Sequence, residues 1–165
     1  MAAQAQARAP EIDAAITELR AMFGERLSTA YALREQHGKD ISYHEAHLPD
    51  AVVFAESAEE VQKIVKLCAR HKTPIIPFGT GTSLEGHISA PNGGISLDLS
   101  RMNKVLQVNE ADLDVVVQPG VTRKQLNEFI RATGMPDWMV WITALTAPSR
   151  LSKAQVAATI DSGIP

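Results

Sequence analysis

The sequence predicts an α/β protein, a mixed sheet flanked by helices, and three observations carry that prediction. Ala51-Val52-Val53-Phe54 is a short apolar run bounded by Pro49-Asp50 and Glu56-Ser57, which reads as a buried strand. Val61, Ile64, Val65 and Cys68 then recur at helical spacing. Ile75-Ile76, after Pro74, is a second short apolar run. Strand, helix and strand in that order imply a parallel pair joined by a right-handed crossover.

In chain order, Met1 to Pro10 is rich in Ala and Gln and carries Arg8 as its one basic side chain. It lacks the apolar core of a secretory signal, and a mitochondrial leader is the weaker reading beside a cytoplasmic chain. From Glu11 to Phe23, Ile12, Ile16, Leu19 and Phe23 form one helical stripe, and Gly24 closes the helix. A second short helix is expected from Ser28 to Gln36, capped by Ser28 and stopped by Gly38. The run from His37 to His47 holds three histidines, and His44-x-x-His47 is a spacing found in zinc sites. No cysteine or further His/Asp pair stands at a matching offset, so the run reads as a loop.

Ser57-Ala58-Glu59-Glu60 is a capping box opening the first crossover helix, with His71 and Lys72 at its negative end. Beyond the second strand, Ile95, Leu97 and Leu99 alternate with Ser96, Asp98 and Ser100, the pattern of a half-buried strand. Asn103 to Val108 and Leu113 to Gln118 read as two more strands joined by a turn at Asn109-Glu110-Ala111-Asp112, with antiparallel neighbours the simplest pairing. Thr122-Arg123-Lys124-Gln125 is another capping box, and Leu126, Phe129 and Ile130 form the stripe of a helix ended by Gly134.

The 165 residues suffice for one domain with a real core, and a net charge of −3 without basic clusters gives no electrostatic reason to expect nucleic acid or an anionic membrane. No apolar run is long enough to span a bilayer, which predicts a soluble chain. The single Cys68 falls on a helical apolar face and is read as a buried, inert thiol of a reducing compartment.

Between the second and third strands lies Pro77-Phe78-Gly79-Thr80-Gly81-Thr82-Ser83-Leu84-Glu85-Gly86-His87. Its glycines let the backbone turn sharply and aim successive N–H groups, with the hydroxyls of Thr80, Thr82 and Ser83, into one concavity suited to a phosphate or pyrophosphate. A plain glycine-rich turn is the competing reading of these residues. It is not a P-loop, because no lysine lies between Lys72 and Lys104. Nor is it the dinucleotide fingerprint: Gly79, Gly81 and Gly86 are mis-spaced, and Pro91-Asn92-Gly93-Gly94 forbids a following helix.

Three stretches taken together carry a family resemblance: Pro49-Asp50-Ala51-Val52-Val53, the run from Pro74 to Gly86, and Val117-Gln118-Pro119-Gly120-Val121-Thr122-Arg123. From about Arg34 to Gly134 the sequence resembles the FAD-linked oxidases of the vanillyl-alcohol-oxidase type, with the PCMH-type FAD-binding domain, and within them the D-lactate dehydrogenase (cytochrome) and glycolate oxidase group. The resemblance implies that the loop wraps the FAD pyrophosphate and that the Pro-Gly-Val turn lies beside the flavin. The cofactor-binding residues it implies are Pro77, Gly79, Thr80, Gly81, Thr82, Ser83, Gly86, Pro119 and Gly120. Relatives that attach FAD covalently often do so through a histidine in this loop; Gly79 to Ser83 holds neither His nor Cys, which implies non-covalent FAD. His87 is read as a surface or supporting group and Glu85 as a loop-shaping one, so no catalytic residue is assigned, and no metal.

The resemblance divides the chain into a helical lead-in (1–48), a partial FAD-binding domain (49–134) and a tail (135–165) in which the family's next segment finds no counterpart. Trp138, Val140, Trp141 and Ile142 in that tail could cover an apolar edge, and Ser152 to Ile160 could form a short helix. In the complete enzymes FAD takes a hydride from C2 of a D-2-hydroxy acid such as D-lactate or glycolate, and a later substrate domain supplies the arginine, histidines and metal. This chain is therefore expected to be the FAD-binding portion of such a dehydrogenase. The alternative is a truncated, non-catalytic fragment, or a partial subunit completed by a second chain. A sheet edge left open by missing strands would favour self-association.

Overall fold

Ile95–Asp98 forms a strand whose four residues are all buried, and the sheet of the first half of the structure is assembled on it. The computed structural model describes residues 9–82, 84–109 and 114–132. They fall into two compact units, one ending at Arg101 and the other beginning at Met102.

The first unit contains α1 (Pro10–Phe23), a single 3-10 turn (Gly24–Arg26), β1 (Leu27–Ser28), α2 (Tyr31–Gly38), β2 (Ala51–Phe54), α3 (Ala58–Arg70), β3 (Ile75–Phe78) and β4 (Ile95–Asp98). The sheet order is β1-β2-β4-β3. β4 pairs in parallel with β2 on one side and β3 on the other, and β1 runs antiparallel to β2. β2 and β3 are thus parallel, as the strand–helix–strand pattern implies, but they are not neighbours: β4 occupies the place between them. A strand paired on both sides and covered on both faces has no solvated side. Ser96 and Asp98 are accordingly buried with Ile95 and Leu97, which corrects the half-buried reading of the alternation.

Helix α1 starts with Pro10 in its first turn, where the missing N–H costs nothing, and carries Glu11 and Asp13 at its positive end. Ile12, Ile16, Leu19 and Phe23 are buried as the spacing predicts, and Gly24 ends the helix at φ 53° with its N–H on the Arg20 carbonyl. Ser28 is not the N-cap of the next helix. Burial of Leu27 opposite Val53 draws Leu27–Ser28 into the sheet, so the helix begins at Tyr31 and the Ser28 hydroxyl accepts the Ala30 N–H at 3.2 Å. Helix α3 is capped by Ser57, whose Oγ accepts from the Glu60 N–H at 3.3 Å. The Glu60 carboxylate reaches the Glu56 N–H at 2.9 Å and takes a two-point grip from Arg26 at 2.7 and 2.8 Å, which ties the 3-10 turn to the start of α3. Ile64, Leu67 and Cys68 face the core, while Val61 and Val65 are only partly covered. Burial pushes the Cys68 thiol up to about 11, so it stays protonated and inert.

The second unit holds β5 (Val105–Asn109), β6 (Asp114–Val117) and α4 (Arg123–Ala132). β5 and β6 pair antiparallel, with an irregularity between Val105 and Gln107, and the turn expected between them lies outside the described residues. Thr122 and Gln125 form a complete capping box: the Gln125 N–H donates to the Thr122 hydroxyl at 3.3 Å, and the Thr122 N–H donates to Gln125 Oε1 at 2.9 Å. Leu126 and Ile130, one turn apart, pack with Val115 and Val121. Phe129 is 46% exposed, a correction to the predicted stripe: two residues spaced by four already fill the short helix's contact line, and Phe129 lies beside it. Gly134 and the tail with Trp138 and Trp141 lie outside the described residues.

Ile64, on the core-facing side of α3, is completely buried. Ile64→Ala should lower the unfolding free energy by about 2–5 kcal/mol, read as a lower urea midpoint at unchanged slope.

Candidate functional site

β3 and β4 are adjacent and parallel, so the chain leaving β3 at Phe78 must return the full strand length before Ile95. The glycine-rich loop is the first part of that return. It therefore leaves from the carboxyl end of a parallel strand, the end at which open α/β sheets bind their ligands. Its far part is anchored: Ile88 and Ala90 are buried, the Ala90 N–H donates to the His47 carbonyl at 2.9 Å, and the Ser89 N–H donates to the Gly86 carbonyl at 3.0 Å. Gly94, at φ 109°, leaves no room for a side chain beside the Pro74 carbonyl.

The near part is open. Gly79, Thr80 and Thr82 are exposed and Gly81 partly so. Among the described residues, the amides of Gly79, Thr80, Gly81 and Thr82 donate to no backbone carbonyl. A Cβ placed on Gly79 would meet nothing within 4 Å. Gly81 turns the chain at φ 66°, where a Cβ would lie 3.0 Å from the Phe78 ring. The hydroxyls of Thr80 and Thr82 are hydrogen-bonded to each other at 3.0 Å, so they point to the same side of the loop. Gly86 has φ 70°, and a Cβ there would lie 2.6 Å from the His44 ring, so the lead-in segment packs on the loop's far shoulder.

Open amides, paired hydroxyls and empty space at a glycine are what a backbone cradle for an anionic group requires. Pro77 sits within β3, the edge strand of this sheet, where a residue without an N–H is tolerated, and its ring is exposed. Glu85 and His87 are exposed, and Ser83 lies outside the described residues. Asp40 is held below the ordinary carboxylate range first by its hydrogen bonds from Ser42, with His87 adding an electrostatic contribution. Among the described residues no group of three His, Cys, Asp or Glu side chains is placed to hold a metal ion. Pro119 and Gly120 belong to the second unit, in a turn fixed by the Gly120 N–H on the Met102 carbonyl at 2.8 Å and the Gln118 N–H on the Lys104 carbonyl at 2.9 Å.

Beneath the loop lies a group that the sequence reading missed. β2, β4 and β3 end in register at Phe54, Asp98 and Phe78, and His37 lies across all three. Its Nε2 is 2.8 Å from Asp98 Oδ2 and its Nδ1 is 2.8 Å from the Leu33 carbonyl. The ring is tilted over Phe78 at 4.0 Å between centroids and meets Phe54 edge-on at 6.2 Å. His37 is thus no part of a solvated loop: it ends α2 and is 2% exposed. Burial pushes the Asp98 carboxyl up, but the hydrogen bonds from His37 and Ser100 outweigh it and leave the group below the ordinary carboxylate value. The available signal was Asp98 itself, an acid inside an apolar strand run, which calls for a partner from elsewhere in the chain.

A depressed folded-state value means that Asp98 adds stability above the unfolded carboxylate range, near pH 3.9, and that this stability is lost as pH falls through the folded value. The melting temperature of the wild type should therefore fall more steeply below about pH 4 than that of Asp98→Asn, measured side by side in a pH series.

A family profile described as an FAD binding domain matches residues 49–146, running past Gly134. The chain is 45% identical over 130 residues to a probable mitochondrial D-lactate dehydrogenase of Danio rerio, covering 78% of this chain and 26% of that protein. It is 43% identical over 122 residues to the mitochondrial D-lactate dehydrogenase [cytochrome] of Arabidopsis thaliana, covering 73% of this chain and 22% of that one. Among solved structures, p-cresol methylhydroxylase with substrate bound superposes with a TM-score of 0.67 at 27% identity, over 82% of this chain and 27% of the other. The chain spans about a quarter of the length of the curated relatives it matches.

Proposed function

The chain belongs to the FAD-binding-domain family, and on that premise we propose that it is the FAD-binding portion of a flavin-dependent D-2-hydroxyacid dehydrogenase, acting on D-lactate or glycolate. One observation carries the assignment of the cradle: around Gly79 the loop presents amides that, among the described residues, donate to no backbone carbonyl, and a Cβ on Gly79 would meet nothing within 4 Å. FAD when bound would supply the two-electron acceptor for a hydride from C2 of the hydroxy acid.

The chain's own residues bind and orient. The amides of Gly79, Thr80 and Gly81 would donate to the pyrophosphate oxygens, and the Thr80 and Thr82 hydroxyls, on one side of the loop, would add to them. Ser83 and Gly86 complete this assignment within the loop, and Pro77 sets its start. The family resemblance assigns Pro119 and Gly120 to the flavin. Gly79 to Ser83 holds neither histidine nor cysteine, which supports FAD held by hydrogen bonds and packing. The described residues contain no helix long and apolar enough to cross a membrane.

A second reading takes the chain, about a quarter of its relatives' length, as a cofactor-holding part. In it the chain holds the cofactor but turns nothing over without a partner that supplies the substrate side.

Gly79→Ala separates binding from folding, because the added methyl meets no protein atom but enters the cradle. The variant should melt within about 1 kcal/mol of wild type. It should bind FAD on the order of tenfold more weakly in a fluorescence-quenching titration. Equal FAD affinity in both proteins would remove the cradle assignment. Wild-type chain with retained flavin that D-lactate or glycolate reduces would support the dehydrogenase reading; retained flavin that neither reduces would support the second.

A further inference from the structure

The open loop turns on Phe78, and Phe78 rests on His37. The imidazole faces an acceptor from each nitrogen: the Leu33 carbonyl at 2.8 Å, which can only accept, and Asp98 Oδ2 at 2.8 Å. The other Asp98 oxygen accepts the Ser100 N–H at 2.7 Å, so the carboxylate is fixed at both ends. Of the strands packed against the ring, β2 presents Phe54, β3 Phe78 and β4 Asp98. Arg101, the nearby cation, lies over the Phe54 ring at 4.9 Å and is bound to Glu56 at 2.8 Å. On α2 itself, Arg34 is turned away to the Pro49 carbonyl at 2.6 Å. The ring is therefore held at two points with Asp98 as its charged partner.

An apolar side chain of similar size would fill this position without the desolvation of an ion pair, so stability alone does not account for a histidine and an aspartate here. What the pair adds is direction. The tethered imidazole lies against Phe78 at 4.0 Å, and the Phe78 ring edge is where a Cβ of Gly81 would come within 3.0 Å. A displacement of the His37 ring passes to Phe78 and from there to the turn at Gly81.

We infer that His37 is a positioning residue for the glycine loop: tethered to the Leu33 carbonyl and Asp98, its ring fixes the Phe78 ring on which Gly81 turns and so aims the loop's amides. What those amides hold rests on the cradle reading above; the effect on the loop itself does not.

The test uses the full chain, labelled with 15N, at pH 7. The informative variant is His37→Leu/Asp98→Asn, which removes the tether without leaving a buried charge. It should fold, with a melting temperature lowered by the unpaired amide at position 98, and should move the Gly79 and Gly81 amide resonances, speed their hydrogen exchange and weaken FAD binding about tenfold. Asp98→Asn alone, whose amide can still hold the ring, should leave the loop amides close to wild type. A folded double variant with unchanged loop amides would overturn the proposal. Should the double variant not fold, Phe78→Leu takes its place: it should displace the same loop amides and shift the His37 ring signals, and an unmoved loop would again overturn it. If the wild type binds no FAD, the flavin reading fails while the loop amides alone still decide the role of His37.

Discussion

A carboxylate at the end of a strand buried on both faces requires a partner, since an unpaired charge there would cost several kcal/mol. In the first unit that requirement falls on Asp98, and it is met by His37 from the end of α2. The pairing fixes where α2 must finish and brings Phe54 and Phe78, the last residues of the strands on either side, around one imidazole. The glycine loop begins immediately after Phe78. Its starting direction is thus set by a polar contact in the core and not by the loop's own residues.

The same sheet explains why the loop is both open and anchored. Because β3 and β4 run parallel and adjacent, their connection must double back along the whole strand. The returning part is pinned by buried Ile88 and Ala90 and by the glycines at Gly93 and Gly94, where Asp50 and Pro74 leave no space for a Cβ. Gly93 and Gly94 are therefore glycines of close packing, Gly81 is one of both turning and close approach to Phe78, and Gly79 is one of open space. Of these, only Gly79 has no close-packed neighbour that excludes a side chain, which is why a substitution there can separate binding from folding.

The ion pairs of the first unit differ in how they work. Arg26 with Glu60, and Arg101 with Glu56, lie at partly exposed sites and join neighbouring elements with modest effect. His37 with Asp98 is sealed from water, so its geometry carries over to whatever packs on it.

The sequence by itself determined the local elements: the helical stripe of Ile12, Ile16, Leu19 and Phe23, the caps at Ser57 and Thr122, the buried run of β2 and the glycine loop with its hydroxyls. These follow from periodicity and from hydrogen bonds between residues close in the chain. It also carried the family, because three motifs in fixed order are readable without coordinates. Tertiary structure alone decided that β4 lies between β2 and β3, that Ser96 and Asp98 face a core, and that His37 is a core residue. Alternation of polar and apolar side chains cannot distinguish a solvated face from one whose polar groups are satisfied by a partner 61 residues away. Ser28 and Phe129 were misread for the same reason: a competing long-range contact, Leu27 against Val53 in one case and the Val115–Leu126–Ile130 cluster in the other, outweighed the local signal.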